Sequence, residues 1–218
     1  DQIRPHVYAD ADLAGCAATQ RSTTGIHMQL EGTYTRWSIT GMSKRKTAVS
    51  SSTPEAEMVA GHHAYNKFIV PQLDLWQYLF GPAVRAVFNE DNESMIQVTR
   101  TGRNPTMKQL GRVHRVAIAV LHERMGNKLT KDAIDVLHTV SEEMAADIYT
   151  KAFTNPDSWG KVLHNINIFD CSQSLAPQFA QRLVSATAVS AGGVDVDATE
   201  VPGGDREDVG SDVVDVIM

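Results

Sequence analysis

The chain reads as an α/β protein with a five-stranded mixed sheet flanked by helices. Three observations lead there. Three strand-like segments come first, before any helical pattern. Two more compact strands follow, each after helical sequence. Strand-helix-strand runs make right-handed parallel crossovers, so an antiparallel start joins a parallel continuation. With 218 residues, 42% of them hydrophobic, the chain can bury one well-formed core.

The elements follow in order. Residues 4 to 13 alternate with period two, placing His6, Tyr8, Asp10 and Asp12 on one face and Val7, Ala9, Ala11 and Leu13 on the other. "TTGIHMQLEG" (23–32) and "TYTRWSIT" (33–40) read as two more strands around a Glu31-Gly32 turn. "SSSTPEAEMVAGHHAYNKFIV" opens a helix, with Thr53 as N-cap and Pro54 at its first position. Pro71 is expected to kink or end it before "QLDLWQYLF". "AVRAVFNE" (83–90) is a fourth strand, with a short helix starting at Asn92. Residues 107 to 125 read as a helix with Val113, Val116, Ala117, Val120 and Leu121 as its apolar stripe. "AIDVLHTV" (133–140) is the fifth strand. "SEEMAADIYTKAF" reads as a helix capped by Ser141, and "SWGKVLHNINIF" closes the domain near 169. The order is β-β-β-α-β-α-α-β-α.

The charge is uneven. Residues 1 to 171 hold 18 basic and 18 acidic residues, so the net charge of −6 comes from 172 to 218, with 2 and 8. The expected organisation is one domain over 1–170 and an acidic, disordered tail over 171–218. No stretch of about 18 apolar residues suggests a membrane span. The chain begins at Asp1 without a signal peptide, which reads as a fragment of a longer product. Cys16 and Cys171 form no metal-ligand spacing, so a reduced intracellular setting is expected.

The chemistry lies in the acids. Carboxylates are depleted from strand interiors, yet Asp10 and Asp12 share one face of the first strand. Glu57 sits in the first turn of the long helix, Asp91 where the fourth strand ends, and Asp147 in the segment after the fifth. Singly, each has an ordinary explanation as a strand end, helix N-terminus, cap or solvated position. Converging as a set, they would repel one another unless cations lay between them. An oxygen-only donor set suits Mg²⁺ or Mn²⁺, and two such ions form a clamp for in-line phosphodiester cleavage.

These acids lie within a wider series of motifs: "DADLAG", "RSTTG", "RW" followed by "SKRK", "SSSTPEAE", "EDNES", "GRVHRVAIAVLHE" and "AADIYTKAF". Over residues 7 to about 169 the chain resembles the ribonuclease H domain of Copia-type retrotransposon Pol polyproteins, whose pattern runs D-A-D-W-A-G, R-S-T-S-G, W then S-K-K-Q, S-S-T-E-A-E, D-N-Q/E and A-D-I-F-T-K. The resemblance implies a ribonuclease H-like fold and cleavage of the RNA strand of RNA–DNA hybrids with two Mg²⁺ or Mn²⁺. It implies that Asp10 bridges both ions. Glu57 and Asp91 would hold the first, with Asp91 also orienting the attacking water, and Asp147 the second. Asp12 belongs to the motif as an accessory group without a fixed ligand role. The implied partners are the hybrid and an upstream reverse transcriptase domain of the same polyprotein. The implied location is the cytoplasm, within a virus-like particle, or the nucleus.

The chain also departs from the pattern. Leu13 replaces the motif's tryptophan, and "ITGM" is inserted before "SKRK", read as a longer loop. "VHR" stands for K-H-I. The loop before Asp147 lacks the histidine of cellular ribonucleases H, and His138 falls in a strand.

Substrate contacts are expected from a basic run, Arg100, Arg103, Lys108, Arg112, Arg115, Arg124 and Lys128, opposed only by Glu123. Phosphate neutralisation would make its affinity sequence-independent. Lys44, Arg45 and Lys46 form a second cluster, read as a surface loop. Ser51, Ser52 and Asn92 are candidate hydrogen-bonding partners for the hybrid, which is recognised by shape and its 2′-hydroxyls. His62, His63, His114, His122 and Cys16 show no ligand or nucleophile pattern, and Trp37, Trp76 and Trp159 read as core. Two rivals remain: a catalytically decayed module that binds nucleic acid or tethers a polymerase, and an integrase or other nuclease of the same superfold. The helix-borne Glu57 between the first and fourth strands favours the ribonuclease.

Overall fold

A computed structural model describes residues 2–104, 107 and 110–169. The expected acidic tail, its boundary near 170, and Lys108 lie outside the described residues. The strands are β1 (Arg4–Asp12), β2 (Thr23–Glu31), β3 (Arg36–Arg45), β4 (Ala86–Glu90) and β5 (Ile134–His138). They form one mixed sheet in the order β3-β2-β1-β4-β5, with β1–β2 and β2–β3 antiparallel and β1–β4 and β4–β5 parallel. The sheet bears out the α/β expectation.

Central β1 is buried on both sides, and its period of two sorts the layers. Val7, Ala9 and Ala11 join the main core with Ile26, Met28, Phe88 and Ile134 of the sheet and Ala56, Met58 and Ala60 of the long helix. Tyr8, on the opposite face, packs with Met144, Ala145, Ala146 and Ile166. Full burial of a side chain such as Phe88 stabilises the fold by about 1.5–3 kcal/mol.

That long helix is α1 (Thr53–Ala64), running through a π-helical turn (Tyr65–Ile69) into α2 (Val70–Phe80). Its N-cap is Ser52, one residue earlier than expected. Pro71 does not end the helix. The π turn precedes it, and Pro71 occupies the first turn of α2, where its missing N–H is tolerated. After β4 comes α3 (Glu93–Thr101), capped by Asn92, whose Oδ1 accepts from the Met95 amide at 3.0 Å.

Other expectations need correction. β3 runs to Arg45 rather than ending at 40. The inserted "ITGM" is strand, not loop: Thr40, Gly41 and Met42 pair with β2, and only Ile39 bulges, opposite Met28/Gln29. The helix expected over 107–125 is broken into α4 (Leu110–Val113), α5 (Ile118–Leu121) and a π turn (His122–Gly126). Arg115 between them takes a left-handed φ of 56°. Of the expected stripe only Val116 and Leu121 are buried. The segment after β5 is not one helix but two 3₁₀ turns, Ser141–Glu143 and Ala145–Tyr149. A final helix, α6 (Pro156–Asn165), is capped by Asn155. Trp76 is core, but Trp37 and Trp159 are exposed. No helix among the described residues is long and apolar enough to cross a membrane.

Candidate metal centre

Parallel β1 and β4 pair through Val7–Phe88 and Tyr8–Asn89. Two residues beyond Tyr8 stands Asp10; two beyond Asn89 stands Asp91. Both carboxylates therefore leave the carboxyl ends of adjacent parallel strands, the usual ligand-binding edge of such sheets. Glu57, on the first turns of α1, comes to the same place. Ligand-capable oxygens of Asp10, Glu57 and Asp91 all lie within 4.8 Å of one another.

Burial makes this grouping unfavourable as three bare anions. Asp10 is 4% exposed and Glu57 3%. Loss of solvent raises the affinity of Asp10 for a proton; its neighbours Thr150 and Lys151 pull the other way. Burial, then repulsion from Glu90, Asp10 and Asp91, pushes Glu57 far above the usual carboxylate range. Oε2 of Glu57 has no hydrogen-bond partner although it is buried. A hard divalent cation would relieve both conditions, and the all-oxygen donor set fits Mg²⁺ or Mn²⁺.

Asp147 lies beside this trio rather than within it. Its Oδ2 accepts from Lys151 Nζ at 2.6 Å, while buried Oδ1 has no partner. Burial, with added repulsion from Asp10 and Asp91, raises its pKa to about 6. The turn that carries it is tied back to β1, because Thr150 donates its hydroxyl to Asp10 Oδ2. Ser141 donates to Asp91 Oδ2 at 2.9 Å, so it anchors this edge instead of capping a helix.

Asp12 has a different setting. A Cβ built on Gly15 would fall 1.4 Å from Asp12 Oδ2, so this carboxylate closes over the bare backbone of the following turn. It is not among the three clustered acids.

Several groups here escaped the sequence reading. Glu90 is fully buried; Oε1 accepts from the Asn92 amide at 3.1 Å, and Oε2 has no partner. Two consecutive acids in "FNED" were the available signal. Glu55 is buried, with Oε1 3.0 Å from His114 Nε2 and Oε2 accepting from the Ser51 amide at 3.1 Å. Lys46 is not a surface residue: it is 8% exposed, and its Nζ donates to the Ala56 carbonyl at 2.5 Å. Nothing local distinguishes it from Lys44 and Arg45, which are exposed at the end of β3.

The expected substrate residues separate by setting. Ser51 is exposed beside α1, whereas the Ser52 hydroxyl is occupied by the Glu55 amide at 3.4 Å. The Asn92 carbonyl likewise serves its cap. Arg100 reaches the Val136 carbonyl of β5 at 3.1 Å, and Arg124 faces Asp132 at 3.6 Å, so both brace the fold. Arg103, Arg112 and Arg115 are exposed. Arg115 joins Lys44, Arg45, His63 and His114 around a cleft of about 420 Å³.

No protein-family model and no curated protein matches the chain. Among solved structures, the chain is similar to an RNase H1 isolated from compost by a metagenomic approach. The two are 16% identical with a TM-score of 0.42, over 67% of this chain and 92% of that one.

Proposed function

We propose that this chain is a divalent-metal-dependent ribonuclease H that cuts the RNA strand of RNA–DNA hybrids, working beside a reverse transcriptase in a retrotransposon polyprotein. The observation that carries the reading is the gathering of Asp10 and Asp91, from the ends of β1 and β4, with Glu57 of α1, their ligand-capable oxygens within 4.8 Å of one another. Asp147 stands alongside, its buried Oδ1 still unpartnered.

Asp10, Glu57, Asp91 and Asp147 would hold two Mg²⁺ or Mn²⁺. When bound, such ions activate water and neutralise the charge that develops on the phosphate and leaving oxygen. The protein's own part is positional. Ser141 orients the Asp91 carboxylate, and Thr150 orients that of Asp10. Lys151 holds Asp147 at the rim of the site. Arg115, Lys44 and Arg45 line the neighbouring cleft, where fixed positive charge suits a phosphate backbone. Ser51, Arg103 and Arg112 remain available to substrate on exposed surface; Ser52, Asn92 and Arg100 would contribute through the elements they fix. A cytoplasmic or nuclear setting follows from the polyprotein context proposed here.

The decisive measurement is hydrolysis of a labelled RNA–DNA hybrid with Mg²⁺. Wild type should cut the RNA strand, leaving 3′-hydroxyl and 5′-phosphate ends, and Asp10→Asn should not. Equal cutting by both proteins overturns the assignment.

A further inference from the structure

A buried lysine beside a carboxylate cluster needs a reason. The Lys46 side chain is turned inward although its neighbours Lys44 and Arg45 face solvent. Its backbone amide donates to the Ser22 carbonyl at 2.8 Å, which fixes the stem at the end of the β2–β3 hairpin. Its Nζ then reaches the Ala56 carbonyl, between Glu55 and Glu57 in the first turn of α1. No carboxylate among the described residues forms a close ion pair with it. The ammonium therefore acts on the cluster through space. The acids that influence it, in falling order, are Glu57, Asp10, Glu55 and Glu90.

Those four acids are not equally in need of a counter-charge. Glu55 already accepts from the Ser51 amide at 3.1 Å, and His114 Nε2 stands 3.0 Å from its other oxygen. Glu57 and Glu90 each keep a buried oxygen without any partner. Breaking a charged set in low dielectric is costly unless a compensating charge is held nearby. Burial lowers the Lys46 pKa only to about 8, because the surrounding acids oppose it, so the group stays largely charged near neutrality.

We propose that Lys46 is a tethered counter-cation of this carboxylate cluster: a positioning residue that keeps the acids folded together before divalent ions arrive and sets how tightly those ions bind. This rests on the metal-site reading above. A fixed positive charge repels an incoming divalent ion and stabilises the empty site, so the two cations compete. Removing the lysine charge should loosen the metal-free protein and tighten the metal-bound one.

The experiment measures Mg²⁺ binding by isothermal titration calorimetry, and melting temperature with and without Mg²⁺, on the full 218-residue chain. Lys46→Gln and Lys46→Met both remove the charge; the second keeps an unbranched apolar stem in the same space. Each is expected to melt lower than wild type in EDTA and to bind Mg²⁺ about tenfold more tightly, part of the Coulomb gain being offset by protons the carboxylates take up. Lys46→Arg keeps the charge and should bind within about threefold of wild type. A neutral variant that folds only with Mg²⁺ present also supports the proposal. Neutral variants that bind Mg²⁺ within twofold of wild type, or more weakly, overturn it. A wild type that binds no Mg²⁺, or an Asp10→Asn variant that binds as wild type does, sinks the metal-site reading instead.

Discussion

Ser141 donates its hydroxyl to Oδ2 of Asp91 at 2.9 Å, joining the segment after β5 to the end of β4 across 50 residues of sequence. The bond restrains the rotation of the Asp91 carboxylate. Partners one step removed from a metal typically matter 10–100-fold in affinity or activity. Ser141→Ala should therefore raise the Mg²⁺ concentration needed for half-maximal hybrid cleavage by about tenfold or more. A Mg²⁺ titration of initial rates would detect it, and an unchanged midpoint would mean that Asp91 needs no such support.

Asp10 and Asp12 separate in the same way. Asp10 lies in the trio, while Asp12 closes over Gly15. Asp10→Asn should reduce cleavage by more than the roughly hundredfold upper range of indirect partners. It should also abolish Mg²⁺-dependent thermal stabilisation, worth about 2.7 kcal/mol in wild type at a hundredfold excess over Kd. Asp12→Asn should leave that stabilisation in place and reduce cleavage less. Equal losses in the two variants would contradict the assignment of the turn to Asp12.

The basic run should divide into braces and contacts. Arg100→Ala removes the hydrogen bond to the Val136 carbonyl, so it should cost about 1–2 kcal/mol in urea unfolding while leaving KM near wild type. Arg115→Ala, at the exposed cleft, should do the reverse: stability unchanged, KM raised, and the salt dependence of binding reduced by about one phosphate contact.

His27 supplies a pH dependence outside the acidic centre. Its Nδ1 lies 3.0 Å from the Tyr149 hydroxyl, its Nε2 3.2 Å from both Gln29 Oε1 and the Ser38 hydroxyl. Burial lowers its pKa to about 4, from an ordinary value of 6.5. The unfolded chain then takes up a proton between those values while the native state does not. Stability from this group is complete above about pH 6.5 and falls as pH drops toward 4. Nuclear magnetic resonance titration of the His27 ring should show it neutral at pH 5; a midpoint near 6.5 would refute this.

The mixed five-stranded sheet was legible because β1 alternates with period two and the fourth and fifth strands are short apolar runs, each after helical sequence. The helix expected over 107–125 was not, because three β-branched valines and Gly111 weaken helix propensity there. Gly126 also packs hard on α3, since a Cβ there would sit 1.9 Å from the Thr99 carbonyl. The segment from Ser141 carries good helical residues but is shaped by long-range bonds to Asp91, Asp10 and β3. Four of the candidate acids were visible from order and motif. Glu90 and Lys46 were not, because their importance comes from burial, which neither residue type advertises.

Gly25 and Gly41, on neighbouring strands, carry none of the chemistry. A Cβ on Gly25 would stand 2.7 Å from the Ala146 carbonyl, and one on Gly41 would stand 1.8 Å from the Tyr149 hydroxyl. Those two contacts flank Asp147, so the height of that carboxylate above the sheet is gauged by two absent side chains. A single methyl group added more than a hundred residues upstream would lift the turn and its acid together. Damage to such a centre can thus begin at positions where every acid is still in place, and a search for lost carboxylates would pass it by.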